Sequence, residues 1–205
     1  MNDIADAVRN GRTALGIELG STRIKAALVT ERGKVIATGS HEWENRLEDG
    51  YWTYGTEDVL RGLASCYADL KRNVRAACGE TLRTVGAAGV SAMMHGYLPL
   101  DAEGAPLAAF RTWRNVCAAD AGRELTKILG RRIPARWSVA HLYRAMLGGE
   151  EHVRSVSMLC TLAVYVHRLL TGEFVAGVGE ASGMFPTEGA AYDSAALDAF
   201  DCATE

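Results

Sequence analysis

Residues 15–29 read LGIELGSTRIKAALV: a carboxylate, a Gly-Ser-Thr turn and two basic residues lie between runs that otherwise look like strands. Side chains alternate along a strand. Leu15, Ile17 and Leu19 therefore share one face and can fill a core. Gly16, Glu18 and Gly20 share the other, which carries a single carboxylate. The β-prone runs 14–19 and 24–30 are joined by Gly20-Ser21-Thr22-Arg23, and a third run, 35–42, follows a turn at Glu31-Arg32-Gly33-Lys34. Links this short favour an antiparallel meander, because parallel neighbours need a longer crossover.

The same stretch has a chemical reading. Turn N–H groups with the Ser21 and Thr22 hydroxyls can cradle phosphate oxygens. Glu18 can hold Mg²⁺, often through water, and Lys25 can neutralise phosphate charge. The plain alternative is a solvent-facing Glu18 beside an ordinary turn, and spacing alone favours that alternative. Other phosphate motifs do not help. There is no G-x-x-x-x-G-K-[ST], and residues 177–183, GVGEASG, put Ser182 where G-x-G-x-x-G needs its third glycine. That segment is also expected to follow a helix rather than open one.

Outward from the meander, residues 43–55 have no clear period and read as a loop. Thr56 reads as a helix cap, with Glu57 and Asp58 in the first turn. Val59, Leu60, Leu63, Tyr67, Leu70 and Val74 recur at helical spacing until Gly79. Residues 85–91 read as a buried strand, and 97–107 as a hairpin turning at Asp101-Ala102-Glu103-Gly104. Helices are predicted over 116–129, 138–147 and 159–171, the last stopped by Gly172. Residues 192–205 carry weak helical signals. The order predicts an α/β fold, a mixed sheet with flanking helices. No repeat and no Pro-rich linker divides the chain.

The 205 residues are 48% apolar and 23% charged, with net charge −3 and no long basic run, which argues against nucleic acid or an anionic membrane as partner. The five cysteines are scattered and form no C-x-x-C pair, as suits reduced thiols in the cytoplasm. The N-terminus lacks the apolar core of a signal peptide. The most apolar run, 158–166, is shorter than the roughly 20 residues a membrane helix needs.

The opening stretch resembles the first phosphate motif of the FGGY carbohydrate kinases, Asp-x-Gly-Thr-x-x-x-Arg/Lys, here Glu18-x-Gly20-Ser21-x-x-x-Lys25. Ser keeps the hydroxyl; Glu lengthens the carboxylate arm by one methylene. Further matches keep the family's order. GVSAMMHGYLPLDAEGAPL (89–107) is similar to the xylulokinase-type Met-His-Gly segment. FRTWRN (110–115) resembles the following Trp segment, which often has Asp where this chain has Asn115. LLTGEFVAGVGEASGMF (169–185) is similar to a Leu-Thr-Gly-Glu…Asp-Ala-Ser-Gly-Thr stretch, with Glu180 for Asp and Met184 for Thr.

The resemblance implies an actin-like ATPase (ribonuclease H-like) domain over residues 14–205, preceded by an extension of residues 1–13. It implies ATP and Mg²⁺ as cofactors, a ketopentose such as xylulose or ribulose as substrate, and phosphoryl transfer to a sugar hydroxyl. Glu18, Gly20, Ser21, Thr22 and Lys25 would serve the nucleotide, Glu18 as the metal ligand. Met94, His95, Gly96, Trp113, Asn115 and Glu180 would serve the sugar. For His95 the alternative is a core histidine bonded to a carbonyl, for Trp113 core packing, and for Arg114 and Asn115 the start of a helix. His141 reads as helix packing. The family's catalytic Asp and C-terminal nucleotide domain are expected beyond Glu205, so no general base is assigned here. Exposure of the face that meets that domain would make a homodimer one expected state. The competing readings are a sugar-binding half-kinase without catalysis and an actin-like structural protein that binds nucleotide but no sugar.

Overall fold

The computed structural model describes residues 2–204; Met1 and Glu205, the ends of the expected extension and domain, lie outside them. The chain forms two compact units, one of Met1–Asn45 with Gly55–Met93, the other of Arg46–Tyr54 with Met94–Glu205.

The first unit opens with helix α1 (Asn2–Arg9), tied down by an Arg9–Glu80 ion pair and the buried Val8. Strands β1 (Thr13–Leu19), β2 (Arg23–Thr30) and β3 (Val35–Glu42) form the expected antiparallel meander. After the β4–β5 excursion described below, helix α2 (Thr56–Cys78) leads to β6 (Ala87–Ala92), which lies parallel to β1 in a sheet of order β3-β2-β1-β6. Leu15, Leu19, Ile24, Ala26 and Leu28 point to one face. Burial of each large side chain contributes roughly 1.5–3 kcal/mol. The buried stripe of α2, Val59, Gly62, Cys66, Leu70 and Val74, follows the helical period. Close approach of α2 needs two glycines. A Cβ on Gly39 would meet the Cys66 carbonyl oxygen at 2.4 Å, and one on Gly62 the Ile24 Cδ1 at 2.6 Å. Gly79 ends α2 in the left-handed conformation, φ 79°.

Two expectations change here. Gly55, not Thr56, is the N-cap of α2. The strand read as buried over 85–91 is β6, whose residues are largely exposed. A short apolar run records β propensity but not what neighbours it.

In the second unit, the segment read as a loop holds the hairpin β4 (Arg46–Glu48)/β5 (Tyr51–Thr53), turning at Asp49 and Gly50 with both φ positive. That is the turn Asp-Gly favours. The turn at 101–104 is as expected, but β7 (Leu98–Leu100) pairs chiefly with β8 (Met158–Cys160), and the segment meets its own return at the Leu100–Pro106 and Tyr97–Arg111 bridges. β8 takes the start of the helix predicted over 159–171; α5 is Leu162–Thr171, capped by the Thr161 side chain and stopped at Gly172, φ 81°. Helix α3 (Ala119–Ile128) starts three residues later than expected, α4 (Ser138–Leu147) as expected. The glycine-rich segment does open a short helix, α6 (Val178–Ala181), correcting that expectation. A small hairpin, β9 (Thr187–Glu188)/β10 (Ala191–Tyr192), leads to α7 (Ser194–Thr204). Leu125, Ile133, Val139, Tyr143, Phe185 and Ala196 form the core between α3, α4 and α7.

A polar network is also buried in this unit. Arg111, 3% exposed, pairs with Glu150 and lies over the rings of Tyr51 at 4.2 Å and Tyr97 at 4.9 Å. Arg144 bridges Glu150 (2.9 Å) and the Tyr51 hydroxyl (2.8 Å), and the Tyr97 hydroxyl donates to His152 Nε2 at 2.7 Å. No described helix is long and apolar enough to cross a membrane.

Candidate functional site

The first group of candidate residues lies in the first unit, on the face of the sheet away from α2. Cross-strand register sets Glu18 opposite Lys25, with carboxylate and ammonium 3.6 Å apart. Both are exposed, as are Gly16, Thr38, Ser40, Gly89 and Ser91, which join them around a concavity of ≈690 Å³. A Cβ on Gly16 or Gly89 would touch nothing within 4 Å, so this floor is open space. The turn is held from within. Gly20 N–H donates to the Arg23 carbonyl (3.0 Å), and Trp43 donates its indole N–H to the Gly20 carbonyl (2.7 Å) and its backbone N–H to that of Thr22 (3.2 Å). Ser21 and Thr22 stand exposed at its tip. Sequence reasoning misses Trp43. The available signal is a Trp directly after a strand, here a buried brace for the turn.

No cluster of three His, Cys, Asp or Glu side chains suited to a metal occurs among the described residues. One carboxylate beside a lysine, two hydroxyls and open backbone does fit a Mg²⁺–nucleotide. Mg²⁺ keeps several waters and takes one or two carboxylates plus phosphate oxygens.

The second group lies in the second unit. Met94 is 45% exposed. His95 has φ 67°, a left-handed conformation that costs a non-glycine residue of order 1 kcal/mol or more and concentrates at functional sites. Gly96 follows at φ 101°, where a Cβ would strike the Arg111 carbonyl oxygen at 2.7 Å and the Phe110 ring at 2.8 Å. His95 Nδ1–H donates to the Gly183 carbonyl at a long 3.4 Å, leaving Nε2 free to accept. A side chain on Gly183 would run into that ring at 2.7 Å. Burial pushes the His95 pKa down; Gly183 and Glu180 oppose this and Arg136 adds to it, so the ring is neutral at pH 7.

Glu180, on α6, has one carboxylate oxygen buried without a partner. Trp113 is 46% exposed, so it is not a core residue. Asn115, 5% exposed, caps no helix. Its carboxamide donates to the carbonyls of Trp52 (2.8 Å) and Thr112 (2.9 Å) and accepts from Trp52 N–H (2.9 Å). It thereby fastens β5, and Arg114 lies 3.8 Å over the Trp52 ring. In an Asn115→Asp variant the new carboxylate would face two carbonyl oxygens with no proton to donate. That variant is expected to lose about 1–3 kcal/mol of stability, read as a lower urea midpoint and faster proteolysis at residues 46–54. A midpoint equal to wild type would count against the clamp.

Residues 13–205 match the FGGY family of carbohydrate kinases, N-terminal domain. A xylulose kinase of Lactococcus lactis is 28% identical over 127 residues, covering 58% of this chain and 23% of that protein. Among solved structures, the xylulose kinase of Rhodospirillum rubrum superimposes with a TM-score of 0.78 at 20% identity, over 92% of this chain and 41% of the other. The gluconate kinase of Lactobacillus acidophilus gives 0.75 at 18% identity, over 92% and 40%. The fold is thus the actin-like ATPase fold of those kinases, and this chain spans less than half the length of each of these relatives.

Proposed function

The chain belongs to the FGGY family of carbohydrate kinases, and on that premise we propose that it is the sugar-binding part of an enzyme that moves the ATP γ-phosphoryl group onto a hydroxyl of a ketopentose such as xylulose or ribulose. The observation that carries this reading is the side-by-side placement of Glu18 and Lys25 on an open sheet face, at the positions of the family's carboxylate and basic residue. The exposed turn with the Ser21 and Thr22 hydroxyls receives phosphate oxygens, Gly20 lets them approach, and Lys25 offsets their charge. Glu18 is the residue that would hold Mg²⁺, and bound Mg²⁺ neutralises charge on the phosphates during transfer. His95 offers Nε2 to a sugar hydroxyl and Trp113 offers a ring face to its C–H side, while Met94 and Gly96 line the approach. Asn115 acts through Trp52 rather than by a free amide. No residue of this chain is assigned as general base. The reading carries with it a cytoplasmic location, in keeping with five unpaired cysteines. The C-terminal domain of the longer relatives is proposed as the partner that completes the nucleotide site.

The test uses the full protein that carries this chain, with ATP, Mg²⁺ and a panel of ketoses. Phosphorylation of a ketopentose, with sugar affinity at least about tenfold weaker in His95→Ala, is the expected result. Unchanged affinity in a folded His95→Ala variant would remove the sugar assignment, and absence of any phosphorylated ketose would remove the substrate.

A further inference from the structure

Helix α1 lies outside the residues matched to the kinase family, and its C-terminal end carries a dipeptide with a chemistry of its own. The helix closes in a Schellman turn. Gly11 N–H donates to the Val8 carbonyl (3.3 Å) and Arg12 N–H to the Ala7 carbonyl (2.9 Å), with Gly11 at φ 67°. Asn10 stands directly before that glycine. It is exposed and donates from Nδ2 to the Asp6 carbonyl (2.9 Å). The other four asparagines, Asn2, Asn45, Asn73 and Asn115, precede Asp3, Arg46, Val74 and Val116, so Asn10 alone in this chain is followed by glycine.

We infer that Asn10 is a site of spontaneous deamidation, and that its isoaspartate product opens the end of α1 and releases the helix from the first unit. The Gly11 backbone nitrogen gives its proton to water and forms a bond to Asn10 Cγ. The bond from Cγ to Nδ2 breaks, and Nδ2 leaves as ammonia. The five-membered imide then takes up one water at either carbonyl and gives aspartate or isoaspartate at position 10. Water is the only co-reactant, and nothing is oxidised or reduced. Glycine admits the step because no Cβ shields its nitrogen. The fold admits it because α1 is lightly held. The bond on the Gly11 nitrogen is long, and the helix has eight residues, short of the roughly 12–15 that sustain a helix without packing. Its ties are the buried Ala7 and Val8 and an ion pair whose Arg9 is 59% exposed. Chain ends held in this way open locally. The isoaspartate route carries the main chain through the side chain and adds a methylene, so the Gly11 and Arg12 N–H groups lose register with their carbonyls. A carboxylate also replaces the donor to the Asp6 carbonyl, at the negative end of the helix dipole. Arg9 and Arg12 stand near Asp6 (3.4 and 3.5 Å) and offset part of that charge, which leaves the added methylene as the main cause.

The test incubates the full protein that carries this chain at 37 °C and pH 8, folded and in urea, and reads isoaspartate by peptide mapping. Isoaspartate is expected at position 10 at least about tenfold faster than at the other asparagines, in the folded protein as well as in urea. The modified fraction is expected to be cut faster by protease within residues 2–12. Asn10→Gln keeps the amide but needs a six-membered ring, and is expected to stay unmodified and slowly cut. Freshly purified Asn10→Asp adds the charge without the methylene, and is expected to be cut at an intermediate rate. Modification in urea alone would mean that the Schellman turn shuts the reaction off in the fold, and would overturn the inference. Modification at position 10 with unchanged cleavage would overturn the release of α1. Neither outcome touches the kinase reading, which does not involve α1.

Discussion

Glu150→Ala is expected to remove about 3–5 kcal/mol of folding stability, the usual cost of orphaning one partner of a buried ion pair. Arg111 is 3% exposed, so water replaces the lost carboxylate only through the partly exposed Glu150 position. It lies over the Tyr51 and Tyr97 rings and already has one guanidinium nitrogen, Nη1, without a partner. Arg144 loses its bond to the same carboxylate, and the two cations then face each other across the gap. A domain of this size has only about 5–15 kcal/mol in total, so the variant should be partly unfolded at 37 °C and show a markedly lower urea midpoint. The double variant Arg111→Met/Glu150→Leu is expected to cost less than the sum of its single changes, because no charge is left buried. Strict additivity, or a Glu150→Ala cost within about 1 kcal/mol, would show that the pair is solvated in solution. The pair also sets an acid limit. Burial pushes the Glu150 pKa up, but the Arg111 hydrogen bond and charge, with His152 and Arg144, more than reverse this and hold it below the usual carboxylate range. Its stabilisation is therefore complete above the unfolded carboxylate value near 4.3, and is lost as pH falls through the lower folded value.

The local signals carry well, and the failures have physical causes. Alternation over 15–29 suffices for β1 and β2 because a two-residue period repeated over seven or eight positions is hard to produce by other means. The placement of Glu18 beside Lys25 then follows from the register of a short turn. The helical stripe of α2 is legible for the same reason, over 23 residues. The β4–β5 hairpin escapes a sequence reading although Asp49-Gly50 announces its turn, because strands of three residues are too short to show a period. β8 merges with α5 in the sequence because Met158, Leu159 and Cys160 continue an apolar run. Thr161, an N-cap type, is the available boundary. Asn115 looks like a hydroxyl contact or a cap, and its clamp on Trp52 depends on a partner 63 positions away. His95 meets Gly183 by the same kind of long-range placement. In each case the residue type is readable as polar and purposeful, while the partner is set by tertiary packing that no local pattern encodes.

The protein is also expected to lose stability steadily as pH falls from about 7 towards 3, with His141 as the largest single contributor. His141 is fully buried in α4, its Nε2 has no partner, and its Nδ1 lies 3.9 Å from the Cys117 sulfur. Burial is the main cause that pushes its pKa down, to about 3; Arg111 and Arg144 add to this and Glu150 opposes it. The Tyr97 ring on its other side, 6.1 Å between centroids, carries no charge in this range. The folded value is depressed below the unfolded value of about 6.5. The unfolded chain therefore binds a proton that the folded one refuses. Stability is full above about 6.5 and falls between there and about 3, by roughly 1.4 kcal/mol per pH unit, or on the order of 2 kcal/mol at pH 5. His95 and His152 are also depressed and add in the same sense. His141→Met removes the titrating ring while keeping an apolar side chain that can adapt to the space. The wild-type urea midpoint should drop between pH 7.5 and pH 5, and the variant should show a visibly shallower drop, with the remainder left to the other two histidines. The comparison of slopes is what isolates the effect, since a midpoint at one pH also reports the packing change. Equal slopes in the two proteins would mean that His141 takes up its proton without opening the fold, and that water reaches the Arg111–Glu150 network beside it.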